Sequence, residues 1–329
     1  MTSRIARRGL LCAALAGTAA HGALAQQEAA GYPTRPIRII VPFPPGVITD
    51  AAPRLVAEKL HQEWGQPVVV ENRAGANGMI GTEAVVRAPA DGYSLGVALA
   101  DTWSINPRLN PNIGYDPQRE LVGVAPLAIQ SFALIVHSGV PARSFDEFLA
   151  LARARPGGLR LGSWGEGSTG HLAMLMLQRA TGIVLTHVAY RGAAAAASDV
   201  AAGHIDAMIT SIATSVNLQR DGRVRALAVT GTERHPALPD TPAIAERYPE
   251  VVVRAWYAIV APARTPAPIV ERLNGAIGRA MQAPDVAARI TEGFLAAPMV
   301  QPVAAFAEFL REDAARWAGV IAASGIRLE

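Results

Sequence analysis

Short apolar runs alternate along the chain with stretches of helical period, a pattern that predicts α/β layers. Ile37-Arg38-Ile39-Ile40-Val41 predicts a strand, ended by the loop Pro42-Phe43-Pro44-Pro45-Gly46. A helix is expected around residues 51–64, with Leu55, Val56, Leu60 and Trp64 on one face and Gly65 as its stop. Val68-Val69-Val70 predicts the next strand, Asn72 to Gly78 a polar, glycine-rich loop, residues 79–88 a helix, and Ser94 to Leu99 a third strand. The same grammar returns later. Leu159 to Ser163 predicts a strand, Gly165 to Gly170 a loop, His171 to Ala180 a helix closed by Gly182, Val184 to Val188 a strand, and Tyr190-Arg191-Gly192 a turn. Each half thus presents a glycine-rich loop at the C-terminal end of a strand, where open α/β sheets bind ligands. Two extended stretches, Leu127 to Val136 and Val251 to Ala261, are expected to cross between two lobes as a paired hinge. They set lobe one at residues 26–130 and 253–329 and lobe two at residues 131–252. Helices near 266–281, 284–292 and 302–323 are expected to return to the first lobe.

The first residues change the picture of compartment and charge. Arg4, Arg7 and Arg8 precede the apolar run Leu10 to Ala20, and Ala23-Leu24-Ala25 supplies a small-x-small cleavage pattern. Residues 1–25 are therefore expected to be a signal peptide cleaved after Ala25, with the mature chain in the periplasm. The Arg7-Arg8 pair leaves both Sec and twin-arginine export open. The chain has 30 basic and 27 acidic residues, and losing the leader's three arginines leaves 27 of each. Nothing global then points to nucleic acid, and any attraction for an anion must be local. Cys12, the sole cysteine, lies in the leader, so disulfides, thiol catalysis and cysteine metal sites are excluded from the remainder.

Local attraction has two candidate sources. Gly46 to Asp50 and Gly165 to Gly170 each join a strand to a helix, and a helix N-terminus binds anions through unpaired N–H groups and a partial positive charge. Facing each other, the two loops make a carboxylate clamp, to which the hydroxyls of Thr49, Ser168 and Thr169 add donors. Taken singly, each is also an ordinary strand-to-helix turn with an N-cap. The candidate ligand-binding residues are Gly46, Val47, Thr49, Asp50, Asn77, Gly78, Asp101, Trp103, Gly167, Ser168, Thr169, His171, Tyr190, Gly192 and Ser211. Asp101 follows a strand directly. In the cleft it favours a ligand with an ammonium or a ring N–H; the alternative is a turn-forming Asp. Gly165-x-Gly167-x-x-Gly170 also spells the dinucleotide fingerprint, so a nucleotide-dependent enzyme is the rival reading. The acid that this motif requires about 20 residues on is absent from Thr186 to Arg191. The histidines have no metal-type spacing, and no G-x-S-x-G elbow surrounds Ser168. No catalytic residue, metal or cofactor is therefore expected.

A family resemblance rests on Tyr32-Pro33-x-x-Pro36-Ile37, Val41-Pro42-Phe43-Pro44-Pro45-Gly46, Thr49-Asp50, and Gly65 through Arg73. It continues through Asp91-Gly92-Tyr93, Asn106-Pro107, Tyr115-Asp116-Pro117, His187-Val188-x-Tyr190-Arg191-Gly192, Leu238-Pro239-Asp240 and Ala261-Pro262-Ala263-x-Thr265-Pro266. From about Tyr32 to Ile326 the chain resembles the tripartite tricarboxylate transporter receptors, or Bug family. The resemblance implies a two-lobed, type II (Venus-flytrap) periplasmic binding protein of α/β class with a two-strand hinge. It also implies a monomer, a small carboxylate ligand held by the loops named above, and membrane transporter subunits or a sensor protein as partner. Four positions depart from the pattern. Val47 stands where the family has a second glycine, Pro53 where it has Ala, Asn77 where a Gly is common, and Ala189 where a Pro is common. Val47 is expected to reshape its loop, because Val adopts positive φ only at a steric cost. Pro53 is expected to delay the first helix. Val47 with Trp103 points to an aromatic or otherwise semi-rigid acid.

Overall fold

The computed structural model describes residues 31–110 and 112–326, so the expected leader and its cleavage after Ala25 lie outside the described residues. The apolar run that predicts the first strand forms β1 (Ile37–Val41), in which only Arg38 is not fully buried. It lies between two parallel neighbours, β2 (Val68–Asn72) and β3 (Ser94–Ala98). A strand covered on both faces must be apolar throughout, which is why it reads as a continuous run. The following helix, α1 (Ile48–Trp64), buries Ala52, Val56 and Leu60 and ends at Gly65 with φ 68°. Its start at Ile48 corrects the expected start near residue 51 and the delay assigned to Pro53. Pro53 sits inside the helix and forgoes only its own bond to the carbonyl four residues back.

Strand β4 (Leu121–His137) joins two sheets, starting well before the expected Leu127. Through Ser131 it pairs antiparallel with β9 (Arg254–Pro262), which also flanks β3. From Phe132 onward it pairs with β7 (Ala207–Ser211), and from Ala133 with β8 (Val224–Val229). Strands β5 (Arg160–Ser163) and β6 (Thr186–Ala189) complete the second sheet, both parallel to their neighbours. The strand order is β2-β1-β3-β9-β4-β7-β5-β6, with β8 on β4. The fold is therefore the two-lobed α/β periplasmic binding fold, with β4 continuing from the first sheet into the second and β9 paired to its first-sheet half. β6 begins at Thr186 rather than Val184, because the Val184 carbonyl accepts from the Gly157 N–H ahead of the ladder.

Helices cover both faces. They include α2 (Met79–Val86) on the first sheet and α3 (Phe145–Ala154), α4 (Thr169–Thr181), α5 (Ala193–Ala202) and α6 (Ile212–Arg220) on the second. The C-terminal helices α7 (Ala267–Gln282) and α8 (Val303–Ser324) pack on β4. Packing there is close: a Cβ on Gly123 would lie 2.7 Å from Leu310. α8 also touches α4, so the returning helix bridges the two halves. No helix among the described residues is long and apolar enough to cross a membrane. The loops that carry most of the candidate residues leave the C-terminal ends of β1, β3 and β5.

Candidate functional site

Chain direction brings the loop after β3 against the loop after β5. Immediately beyond β3 the backbone winds into a helical turn, Asp101–Ile105, whose first residue faces the start of α4. Asp101 is buried, at 1% exposure. Its Oδ1 accepts from the Thr169 backbone N–H at 2.9 Å, and its Oδ2 from the Thr169 hydroxyl at 2.6 Å. The indole N–H of Trp164 adds a longer bond to Oδ1 at 3.3 Å. Burial raises the Asp101 carboxyl above its ordinary range, and the Thr169, Trp164 and Asn77 donors oppose that rise. A carboxylate thus rests on the N-terminus of α4, as a helix dipole favours. The carboxylate is the protein's own.

The α4 start is also capped from within. Ser168 is its N-cap, accepting from the His171 N–H at 3.3 Å and donating to the Gly165 carbonyl at 2.6 Å. Gly167, with φ 68°, donates its N–H to His171 Nδ1 at 3.2 Å. Gly170 lies under Trp164: a Cβ there would come within 2.6 Å of the ring. His171 stacks on His187, centroids 3.6 Å apart and planes at 10°. His187 Nε2 shares a 2.7 Å hydrogen bond with Ser163 Oγ. Two of the histidines therefore meet as a pair that their separation in sequence does not announce; the parallel ladder of β5 and β6, which sets Leu161 beside His187, fixes the position of one of them. Burial pushes both imidazoles down to about 4; for His187 the His171 charge adds to the fall and Glu166 opposes it.

On the first sheet's side, Asn77 adopts φ 49° and lies against the turn, its amide donating to Asn106 Oδ1 at 3.0 Å. Its own Oδ1 is buried without a partner, 3.9 Å from where a Cβ on Gly165 would stand. Gly78, at φ 87°, admits the close approach of Thr102 and Phe43. Below lie two strand residues that sequence reading missed. Gln130 of β4 donates to the Tyr257 hydroxyl of β9 at 2.6 Å, and Gln130 Oε1 is a second buried acceptor without a partner. Burial raises the Tyr257 hydroxyl, and the Asp101 charge adds to the rise after the Gln130 bond has opposed it. A lone Gln in an apolar strand was the available signal for this pair, and Trp164 directly after β5 was the signal for the third donor to Asp101.

The first loop behaves differently. Gly46 takes φ 103° and Val47 the extended φ −120°, so Val47 meets no conformational penalty. Val47 is the N-cap of α1, offers no side-chain acceptor, and is 39% exposed. Thr49 is buried. Asp50 is held by Arg54, with Nη2 to Oδ1 at 2.8 Å, and by Asn72 Nδ2 at 2.8 Å. Burial would raise the Asp50 carboxyl, but the Arg54 and Asn72 bonds and the Arg54 charge hold it below its ordinary range. Its carboxylate is thus engaged in bracing the loop.

Four other candidates have local duties. Trp103 is 5% exposed within the principal hydrophobic cluster. The Tyr190 hydroxyl donates to Asp199 at 2.7 Å. Gly192, at φ 120°, starts α5, and Ser211 caps α6 by accepting from the Thr214 N–H at 3.2 Å.

The model of the tripartite tricarboxylate transporter family receptors matches residues 52–326. BugT of Bordetella pertussis is 36% identical over 314 residues, covering 94% of this chain and 95% of that protein. Among solved structures, Rpa4515 of R. palustris with adipate has a TM-score of 0.84 at 32% identity, over 90% of this chain and 99% of that one. MatC from Rhodopseudomonas palustris with bound malate has a TM-score of 0.80 at 30% identity, over 88% of this chain and 100% of that one.

Proposed function

Because the chain belongs to the tripartite tricarboxylate transporter receptor family, we propose that it captures a small carboxylate between its lobes in the periplasm and delivers it to membrane transporter subunits. The observation that carries the reading is the donor set at the start of α4, which bonds both oxygens of the protein's own Asp101, so a strand-to-helix turn of this fold is suited to a carboxylate. The adipate and malate bound by two relatives support the same ligand class. The lobes are residues 26–130 with 253–329 and residues 131–252, a division supported by the change of sheet partners in β4 after Ser131. Closure of one lobe on the other traps the ligand, and no chemistry follows.

Within the cleft the α1 start is the receptive end. A helix start leaves its first N–H groups without intrahelical partners, and Val47 supplies no side-chain cap. The exposed Val47 side chain favours an apolar ligand body, aromatic or semi-rigid; with Trp103 buried, that preference rests on Val47 alone. Thermal-shift and calorimetric screening of the mature protein against linear, branched and aromatic acids tests the reading. Micromolar or tighter binding of at least one acid is expected. Stabilisation by neutral or cationic solutes only, with none by any acid, overturns it.

A further inference from the structure

A ligand carboxylate in this cleft has two helix starts to choose from, α1 and α4. The α1 start has no side-chain cap and its first-turn acid, Asp50, is paired with Arg54, whereas the α4 start already holds a carboxyl group with both oxygens bonded to neutral donors. We propose that Asp101 is a specificity-determining residue: a resident carboxylate that reserves the α4 start, so that the protein selects monocarboxylates docked at α1 and rejects dicarboxylates. The inference rests on the cleft being the ligand site, as proposed above.

Three observations carry it. First, the resident carboxylate is complete. The Thr169 N–H, the Thr169 hydroxyl and the Trp164 indole N–H all point to it, so this end has no spare donor among them for a second anion. Second, an unpartnered acceptor lies on the first sheet's side of the contact. Asn77 Oδ1 is buried without a partner, and an incoming carboxylate meets it as a like partial charge. Third, no basic side chain is paired with Asp101 to neutralise it; all its partners are neutral donors. A second anion placed there finds both Asp101 oxygens already bonded and no basic side chain among its partners to attract it. The contact also joins the first sheet's loop to the second sheet's helix. Asp101 thereby performs internally the bridging that a ligand carboxylate at α4 would otherwise perform, and favours the closed arrangement without ligand.

The test uses the mature protein and its Asp101→Ala and Asp101→Asn variants, with circular dichroism to verify folding. Titration calorimetry compares butyrate with succinate, hexanoate with adipate, and benzoate with terephthalate. Small-angle scattering without ligand reports lobe opening. The wild type is expected to prefer the monocarboxylate of each pair. Asp101→Ala is expected to gain dicarboxylate affinity by about tenfold or more, with a larger radius of gyration. Asp101→Asn, which keeps the shape but loses the charge, is expected to lie between. Wild-type dicarboxylate affinity equal to that of Asp101→Ala overturns the inference and leaves the proposed function standing. If no acid binds any of the three proteins, the proposed function falls. Scattering then decides Asp101 alone: expansion of the alanine variant upholds its bridging role, and an unchanged radius removes it.

Discussion

His171 and His187 stack face to face at 3.6 Å between ring centroids, a contact that disfavours charge on both rings at once. Each ring is tied to the α4 loop: His171 Nδ1 accepts from the Gly167 N–H, and His187 Nε2 bonds Ser163 Oγ. Protonating His171 at Nδ1 removes the acceptor for Gly167. Protonating both sets two cations in contact. The loop that presents Thr169 to Asp101 therefore depends on the charge state of this pair.

Acid should loosen the protein through these rings. Burial lowers both from 6.5 to about 4, so below pH 6.5 the unfolded chain binds more protons than the folded one. The stability they contribute is fully present above pH 6.5 and is lost as pH falls from there toward 4. Urea unfolding at pH 7.0, 5.5 and 4.5 is expected to show falling stability, with a shallower pH slope in His187→Phe. Equal slopes in wild type and variant would remove the pair as the cause.

Ser168→Ala should destabilise α4 specifically. Ser168 is fully buried, caps the helix through the His171 N–H and donates to the Gly165 carbonyl. Losing a Ser cap costs about 0.5–2 kcal/mol. The expected result is a lower urea midpoint with an unchanged denaturant slope. A change within about 0.5 kcal/mol, the usual range for surface substitutions, would mean that the cap carries no weight.

Gly78→Ala and Gly222→Ala separate backbone strain from crowding. Both glycines have positive φ, 87° and 70°, so both substitutions share a left-handed penalty of about 1–2 kcal/mol. Only at Gly78 does a Cβ also collide, 2.7 Å from Thr102 Cγ2 and 2.9 Å from Phe43; at Gly222 nothing lies within 4 Å. Gly78→Ala should therefore lose about 1–3 kcal/mol more than Gly222→Ala in chemical denaturation. Equal losses would show that the loop yields without effort.

The strands and helices that frame the cleft were legible because their signals are local. Ile37 to Val41 is apolar because both faces are covered, and Gly65 and Gly182 end their helices in left-handed conformations. The family motifs carried the two-lobed arrangement beyond what periodicity alone supports. The occupant of α4 was not legible. Asp101 reaches Thr169 across 68 residues, and only the fold decides that distance. The His171–His187 stack depends likewise on the register of β5 with β6. Pro53 misled because its geometric objection to a helix is real but is limited to one lost bond.

Val47→Gly tests the role proposed for the loop into α1. At φ −120° and ψ 171° Val47 is relaxed, so glycine gains nothing in geometry and adds freedom to the unfolded chain. Stability should fall by about 0.5–1 kcal/mol. The informative readout is ligand rank order in the same acid panel used for the wild type. Val47 presents an exposed apolar surface at an uncapped helix start, so its removal should weaken acids with bulky apolar bodies more than short polar ones. The carboxylate itself should bind as before, since backbone N–H groups would hold it and both residues have them. An unchanged rank order, with the modest stability loss present, would take Val47 out of the binding surface and leave its loop as a simple turn into α1.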